Sequence, residues 1–439
     1  MFDWSSHAAL EERWRSLTGQ YVGDLNAYVK RGEEEGWDNA GNEPTDQRDE
    51  ALGRQVIEVV RAANEAGAWK ELRERYPTAH APLIPLLEEK AIGISNAFFL
   101  DDDRVVAHVG GFEVRLFHVD GSSEVLDTQA AGVSWDRAHV AMLKEDAVVV
   151  TEGLGGAEVS RFDLPKGNEG LPEAYTALDP EELGLGRVER LRPFRKGKAV
   201  LVVAESGVWV LSGRDPKRIF PDEAFFADQA EDWEEGEAYL PNLSMLHGEV
   251  SPDGKLIAAG SQDSQHVVAK RSGEVVARFG PIWSEYPHHA GFSPDNKWAF
   301  FNSCHFYNGE SVKVRRRHLE GLFADGYEEH DHAESLSSGP RVYCSAWHEG
   351  AFLLGTSPGY VIAVDAETSA LRFRHFVGST VNGVDVSPSG QRMVVSTYAG
   401  FLSFVDLAAE TPDPFVIGTG SHREMIRFVR WRDEPLWRW

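Results

Sequence analysis

The chain has 439 residues, 42% of them hydrophobic, and carries 44 basic against 70 acidic side chains, a formal net charge of −26. That field repels nucleic acid and anionic membranes and draws basic partners inward, so a basic protein partner, and neither nucleic acid nor a membrane, is the expectation. Cys304 and Cys344 are too few for a disulfide framework, no apolar run approaches the roughly 18 residues that span a bilayer, and Met1-Phe2-Asp3-Trp4-Ser5-Ser6-His7 lacks the basic start and apolar core of a signal peptide; the chain reads as soluble and cytoplasmic.

Residues 1–90 follow a helical period. Leu10, Trp14, Leu17, Tyr21, Leu25 and Tyr28 make one apolar helix face. After a polar loop over residues 32–46, Leu52, Val56, Val59, Val60, Ala63, Trp69, Leu72 and Tyr76 mark a second helix, with Thr45 or Asp46 as N-cap and Pro77, Pro82 and Pro85 ending it. Side chains this large must pack on something, and the rest of the chain is the expected surface.

From about residue 91 the pattern becomes short apolar strand, tight polar turn, second apolar strand. The turns are Asp101-Asp102-Asp103, Lys144-Glu145-Asp146, Lys196-Gly197-Lys198, Ser251-Pro252-Asp253-Gly254, Ser293-Pro294-Asp295-Asn296, Trp347-His348-Glu349-Gly350, Ser387-Pro388-Ser389-Gly390 and Trp431-Arg432-Asp433-Glu434. A return of about 40–56 residues, with four strands to each repeat, is the signature of a β-propeller. Eight inner hairpins are counted this way, but the last stops at Trp439 without outer strands. Pairing of residues 425–439 with strands near 104–119 in one composite blade would make seven, the number expected; eight is the alternative. The fold expected is therefore all-β, a seven-bladed propeller over residues 91–439 with a helical extension over residues 1–90 packed on it.

Several strands end on an apolar residue followed by aspartate: Val119-Asp120, Phe162-Asp163, Val364-Asp365 and Val405-Asp406. His422, Ile426, Val429 and Trp431 repeat a histidine, aliphatic, aliphatic, aromatic spacing. In both respects the chain resembles the WD-repeat family and its bacterial relatives, with Ser421 where that family has glycine and aliphatic-Asp where it has Trp-Asp. The resemblance implies a scaffold for protein–protein contact without catalytic activity and without a cofactor.

Four constellations bear on chemistry. Gly355-Thr356-Ser357-Pro358-Gly359 has the spacing of a hydrolase nucleophile elbow, but it joins two strands, and Pro358 removes the amide an oxyanion hole needs. Aligning the inner strands on their turns places His247, His289, Tyr343, Gly383 and Arg427 at one level and Glu249, Gly291, Ser345, Asp385 and Val429 at the next. His247, Glu249, His289 and Asp385 would converge near the central channel, a mixture able to hold Zn²⁺ and to support a metal-dependent hydrolase or lactonase; His288, Cys304 and His305 lie near them. Histidines hydrogen-bonded within buried strands are the commoner outcome, so no metal is expected. Between residues 311 and 340 an insertion carries Arg315-Arg316-Arg317-His318 and Glu328-Glu329-His330-Asp331-His332, read as a self-paired solvated loop.

The fourth constellation is residues 222–237, with eight acidic side chains in sixteen. It is expected to be a long loop in which Phe225, Phe226 and Trp233 anchor a basic partner while Asp232, Glu234 and Glu235 set rate and specificity. The expected function is a non-enzymatic scaffold for a basic protein, with neutralisation of a basic toxin by an acidic immunity protein as its sharpest form.

Overall fold

Runs such as Ala199-Val200-Leu201-Val202-Val203-Ala204 are apolar without alternation, so such a strand must be covered on both faces. Stacking sheets face to face around an axis does this, and all six of those residues are buried. The computed structural model describes residues 2–111, 113–173, 175, 184–231, 243–262, 264–280, 285–306, 308–324 and 330–439. Among them, seven sheets, each built on four antiparallel strands, follow in chain order: blades 1 to 7 occupy residues 94–126, 131–163, 188–220, 247–279, 286–339, 342–376 and 381–429. This is a seven-bladed β-propeller, the blade number expected from the sequence. Between neighbouring blades lie apolar layers, for example Ala258, Val268 and Phe279 of blade 4 against Phe292, Phe301 and Val312 of blade 5.

The hairpin count is corrected at two turns. Lys144-Glu145-Asp146 joins the second and third strands of blade 2. The inner turn of that blade is Ser134-Trp135-Asp136-Arg137, which repeats the chemistry of the Ser-Pro-Asp turns. Ser134 Oγ donates to Asp136 Oδ1 at 2.6 Å and accepts from His139 N at 3.0 Å, as Ser251 Oγ does with Asp253 (2.8 Å) and Leu256 N (3.0 Å). Trp431-Arg432-Asp433-Glu434 follows the fourth strand of blade 7, Arg423–Val429, and leads to a fifth strand at its outer edge, Trp437–Arg438. The composite blade is therefore not formed. The spacing from His422 to Trp431 belongs to an outer strand, and Arg427 and Val429 are not channel residues. Of the aliphatic-Asp endings, Asp120, Asp365 and Asp406 each accept a backbone amide in the following turn, from Ser122 (2.8 Å), Thr368 (2.8 Å) and Ala408 (2.9 Å); Phe162-Asp163 ends a fourth strand instead.

Without a shared strand, the seam between blades 7 and 1 closes by other means. Inside, Arg137 of blade 2 reaches past blade 1: its Nη1 donates to Phe99 O (2.6 Å) and Asp385 Oδ2 (2.8 Å), and its Nη2 to Asp385 Oδ1 (2.9 Å) and Val386 O (2.8 Å). Asp385 Oδ2 also accepts Phe99 N at 2.8 Å. Gly383 makes room, because a Cβ there would stand 2.7 Å from Ala97 N of blade 1.

Outside, the helices cover the joint. Helix α1 (Ala8–Glu35) and α2 (Glu50–Glu65) bring Trp14, Leu52, Val56 and Val60 into one cluster with Phe401, Trp431, Trp437 and Trp439 of blade 7. Trp439 Nε1 donates to Tyr76 O at 2.6 Å, and Arg438 Nε crosses to Gly121 O of blade 1 at 2.8 Å. The second helix differs from expectation. Asp49 caps it, accepting Leu52 N at 2.8 Å, and it stops near Gly67 (φ 70°), so that Trp69 and Leu72 lie in separate turns. Pro82 and Pro85 start short helical turns instead of ending one, as proline does in a first turn where its missing N–H is not needed. No helix among the described residues is long and apolar enough to cross a membrane.

Removing Arg137 leaves Asp385 partly buried without its partner, so Arg137→Ala should lower stability by about 3 kcal/mol. In urea titrations, Asp385→Ala should add little on top of it, the non-additivity expected of contacting residues. Trp14→Ala should cost about 3–5 kcal/mol in the same assay, through the cavity left between helices and blade 7.

Candidate functional site: the central channel and its aromatic rim

The innermost strands surround a channel of about 1430 Å³. Its wall is set by strand alternation. In blade 3, Val188–Phe194 sends Arg190 and Arg192 inward, two residues apart as the pleat requires. Both guanidiniums meet Glu249 of blade 4: Arg192 Nε and Nη2 lie 3.1 and 2.9 Å from its oxygens, and Arg190 Nη2 also donates to it. Burial works to raise the Glu249 carboxyl, but Arg190 and Arg192 together hold it below the usual range. Burial, with Arg192 beside it, lowers Arg190 from its ordinary value.

The proposed ligand set for a metal is thus divided. Glu249 belongs to two arginines and Asp385 to Arg137. His247 Nδ1 faces Met245 O at 3.0 Å and His289 Nε2 faces Ser345 Oγ at 3.0 Å, with the two rings 6.4 Å apart. Cys304 Sγ lies against Phe306 O at 3.1 Å, and His305 pairs with Glu285. Among the described residues, no three His, Cys, Asp or Glu side chains are disposed to hold a metal ion. Burial pushes His247 down to about 4 and His288 to about 3, and carries His266 and His289 well below 6.5.

The acidic-aromatic loop is also corrected. Residues 223–231 form helix α3 (Glu223–Glu231), in which Phe225 and Phe226 are buried against Phe220 and Tyr175. Neither is available as an anchor. Asp232, Trp233, Glu234 and Glu235 lie outside the described residues. Leu243, the first described residue after them, lines the channel. In the blade 5 insertion Arg315 meets Glu367 at 2.9 Å and Arg316 meets Asp253 at 2.7 Å, while His318 contacts His332 at 4.0 Å between ring centres; Glu328 and Glu329 lie outside the described residues. Phe323–Ala324 adds a parallel strand to blade 4.

A group of aromatic side chains gathers at the channel mouth, where the turns between second and third strands emerge. Tyr286, His305 and Phe306 come from blade 5, Arg341 and Tyr343 from the start of blade 6, and Tyr398 from a turn of blade 7. Tyr286 stacks on His305 at 6.0 Å, His305 meets Phe306 at 4.5 Å, and Tyr343 meets Tyr398 at 6.0 Å. Phe306 is 68% and Tyr398 46% exposed. Phe306 has φ 50°, uncommon for a bulky residue, and its carbonyl is held by Arg341 Nη2 at 2.9 Å. Arg341 Nη1 also donates to the Tyr343 hydroxyl at 3.3 Å. Sequence reasoning placed Tyr343 on an inner strand but missed the cluster, whose members are scattered over more than a hundred positions. The one available signal for the channel arginines was their alternation in Glu189-Arg190-Leu191-Arg192.

No protein-family model matches the chain, and no curated protein matches it. Solved structures similar to it in shape include the WD40 β-propeller domain of Doa1, at 13% identity over 74% of this chain and 93% of that one, TM-score 0.47. Others are a Kuenenia stuttgartiensis hydrazine synthase (14%, 72% and 96%, TM-score 0.47) and a mitotic checkpoint complex (10%, 71% and 88%, TM-score 0.48). At such distance the fold rests on the seven sheets themselves.

The buried imidazoles set the response to acid. Their folded values lie below the unfolded 6.5, so the unfolded chain takes up protons first as pH falls. Stability is complete above about pH 6.5 and declines toward pH 4 and below, by at most about 1.4 kcal/mol per pH unit for each such histidine. Urea midpoints should already fall between pH 7.5 and 5.5; a flat profile there contradicts the assignment.

Proposed function

We propose that the protein is a non-enzymatic scaffold that binds a basic protein partner across the channel mouth. The observation that carries this reading is a cluster in which Phe306 and Tyr398 are exposed and Tyr286, Tyr343 and Arg341 half-buried, rich in the tyrosine and arginine that dominate binding energy at protein interfaces. Burying a side chain such as that of Phe306 gains roughly 1.5–3 kcal/mol, enough for a few such anchors to sustain an interface. Its basic character is argued from the net charge of −26, which accelerates encounter with a cation-rich surface. The acidic run through Asp232, Glu234 and Glu235, with Trp233, precedes Leu243 of the channel wall and belongs to the same reading. Neutralisation of a basic toxin is its finer form, supported by that charge alone.

A partner captured from the native host and then purified supplies the test. Phe306→Ala and Tyr398→Ala should each weaken its binding by about 2 kcal/mol, roughly thirtyfold, mainly through faster dissociation. Charge reversal at Glu234 and Glu235 should slow association and flatten its salt dependence. A partner indifferent to all four changes binds elsewhere.

A further inference from the structure

The channel is balanced overall, with six basic and six acidic side chains lining it among the described residues, but the charges are not evenly placed. Near the mouth, Arg187 sits with Glu189 and Glu205, an excess of negative charge. At the waist are three guanidiniums, Arg137, Arg190 and Arg192, against the two carboxylates Asp385 and Glu249. Arg137 and Asp385 satisfy each other. Arg192 spends Nε and Nη2 on Glu249 and Nη1 on Val133 O at 2.8 Å. Arg190 reaches Glu249 through Nη2 alone, and its Nε and Nη1 have no acceptor among the described residues although its side chain is 28% exposed to the channel.

Two channel-lining imidazoles carry unpaired nitrogens. His288 is 4% exposed with neither ring nitrogen bonded, and His247 Nε2 is likewise unpaired. Both line the channel, and Arg190 is close enough to His247 and His289 to disfavour their protonation. A guanidinium that shares its one carboxylate with a second arginine keeps donors free toward the channel, and charge-assisted bonds to an anion are about twice as strong as neutral ones.

We propose that the channel waist binds one small free oxyanion, of the carboxylate or phosphate class, on the unused guanidinium edge of Arg190 with the unpaired Nε2 of His247 as a neutral hydrogen-bonding group. The sign of the site is thus opposite to that of a metal centre: a divalent cation meets three guanidiniums there, whereas an anion completes their pairing. This inference is independent of the aromatic rim.

Isothermal titration of the full chain with inorganic phosphate and with acetate, at ionic strength held constant by sodium chloride, tests it. At least one of the two anions should bind with one-to-one stoichiometry. Arg190→Gln, which leaves Glu249 its bonds to Arg192, should weaken that binding at least about tenfold. Arg190→Lys keeps the charge but loses the planar fork, and its affinity should fall between the two. Circular dichroism of each variant establishes that the sheets are intact, and the lysine variant carries the test if the glutamine variant is not. Absence of binding by both anions, or unchanged affinity in Arg190→Gln, overturns the proposal, whatever the partner experiment shows.

Discussion

The bidentate pair between Arg137 and Asp385 spans the joint that chain connectivity leaves open, since blade 1 and blade 7 share no strand. Elsewhere in the ring, successive blades are joined by the chain itself. At this joint the closing force is tertiary: one guanidinium bonds to blade 1 and blade 7 together, a glycine lets the backbones approach, and an apolar helical layer covers the outer seam. Arg137 has φ 59° at the turn position where equivalent blades have Gly254, Asn296 and Gly390. A non-glycine residue in that region carries a strain of order 1 kcal/mol, offset here by four hydrogen bonds to groups on two other blades. The helices follow from the same constraint. Their apolar stripe lies on Phe401, Trp431, Trp437 and Trp439, residues that an open blade 7 would leave in water.

The same economy of charge shapes the channel. A chain with a net charge of −26 places guanidiniums at its waist and pairs them with carboxylates from other blades, so that ion pairs stitch blade 3 to blade 4 and blade 2 to blade 7. Interior pairs of this kind contribute little over well-packed apolar residues but are costly to break singly, which favours one register of blades over slipped alternatives. The histidines beside them stay neutral, because burial and adjacent arginines act in the same direction. At the mouth, outside these networks, Phe306 and Tyr398 remain exposed.

The propeller was legible in the sequence because its causes are local. A turn such as Ser293-Pro294-Asp295-Asn296 is closed by bonds within five residues, Ser293 Oγ to Asp295 at 2.6 Å and Trp298 N to Ser293 Oγ at 2.9 Å, so its residues announce it wherever it stands. Apolar strands between such turns announce blades, and the three- and four-residue spacing of Leu10, Trp14 and Leu17 announces a helix with a face to bury. The inner turn of blade 2 carried the same serine and aspartate, but Trp135 in place of proline and Arg137 in place of glycine or asparagine concealed it.

What the tertiary structure alone decided is which distant residues meet. Glu249 and Asp385 read as metal ligands because the approach of Arg190, Arg192 and Arg137 depends on the rotation of whole blades, which no local spacing encodes. Phe225 and Phe226 read as anchors because the acidic run around them resembles a solvated loop, whereas Tyr175 and Phe220 supply an apolar site for them. The rim of Tyr286, Phe306, Arg341, Tyr343 and Tyr398 exists only once three blades stand side by side. Periodicity and turn chemistry act over a few residues and so survive in the sequence; pairing across the channel acts between residues separated by up to 248 positions and is set by the closed ring.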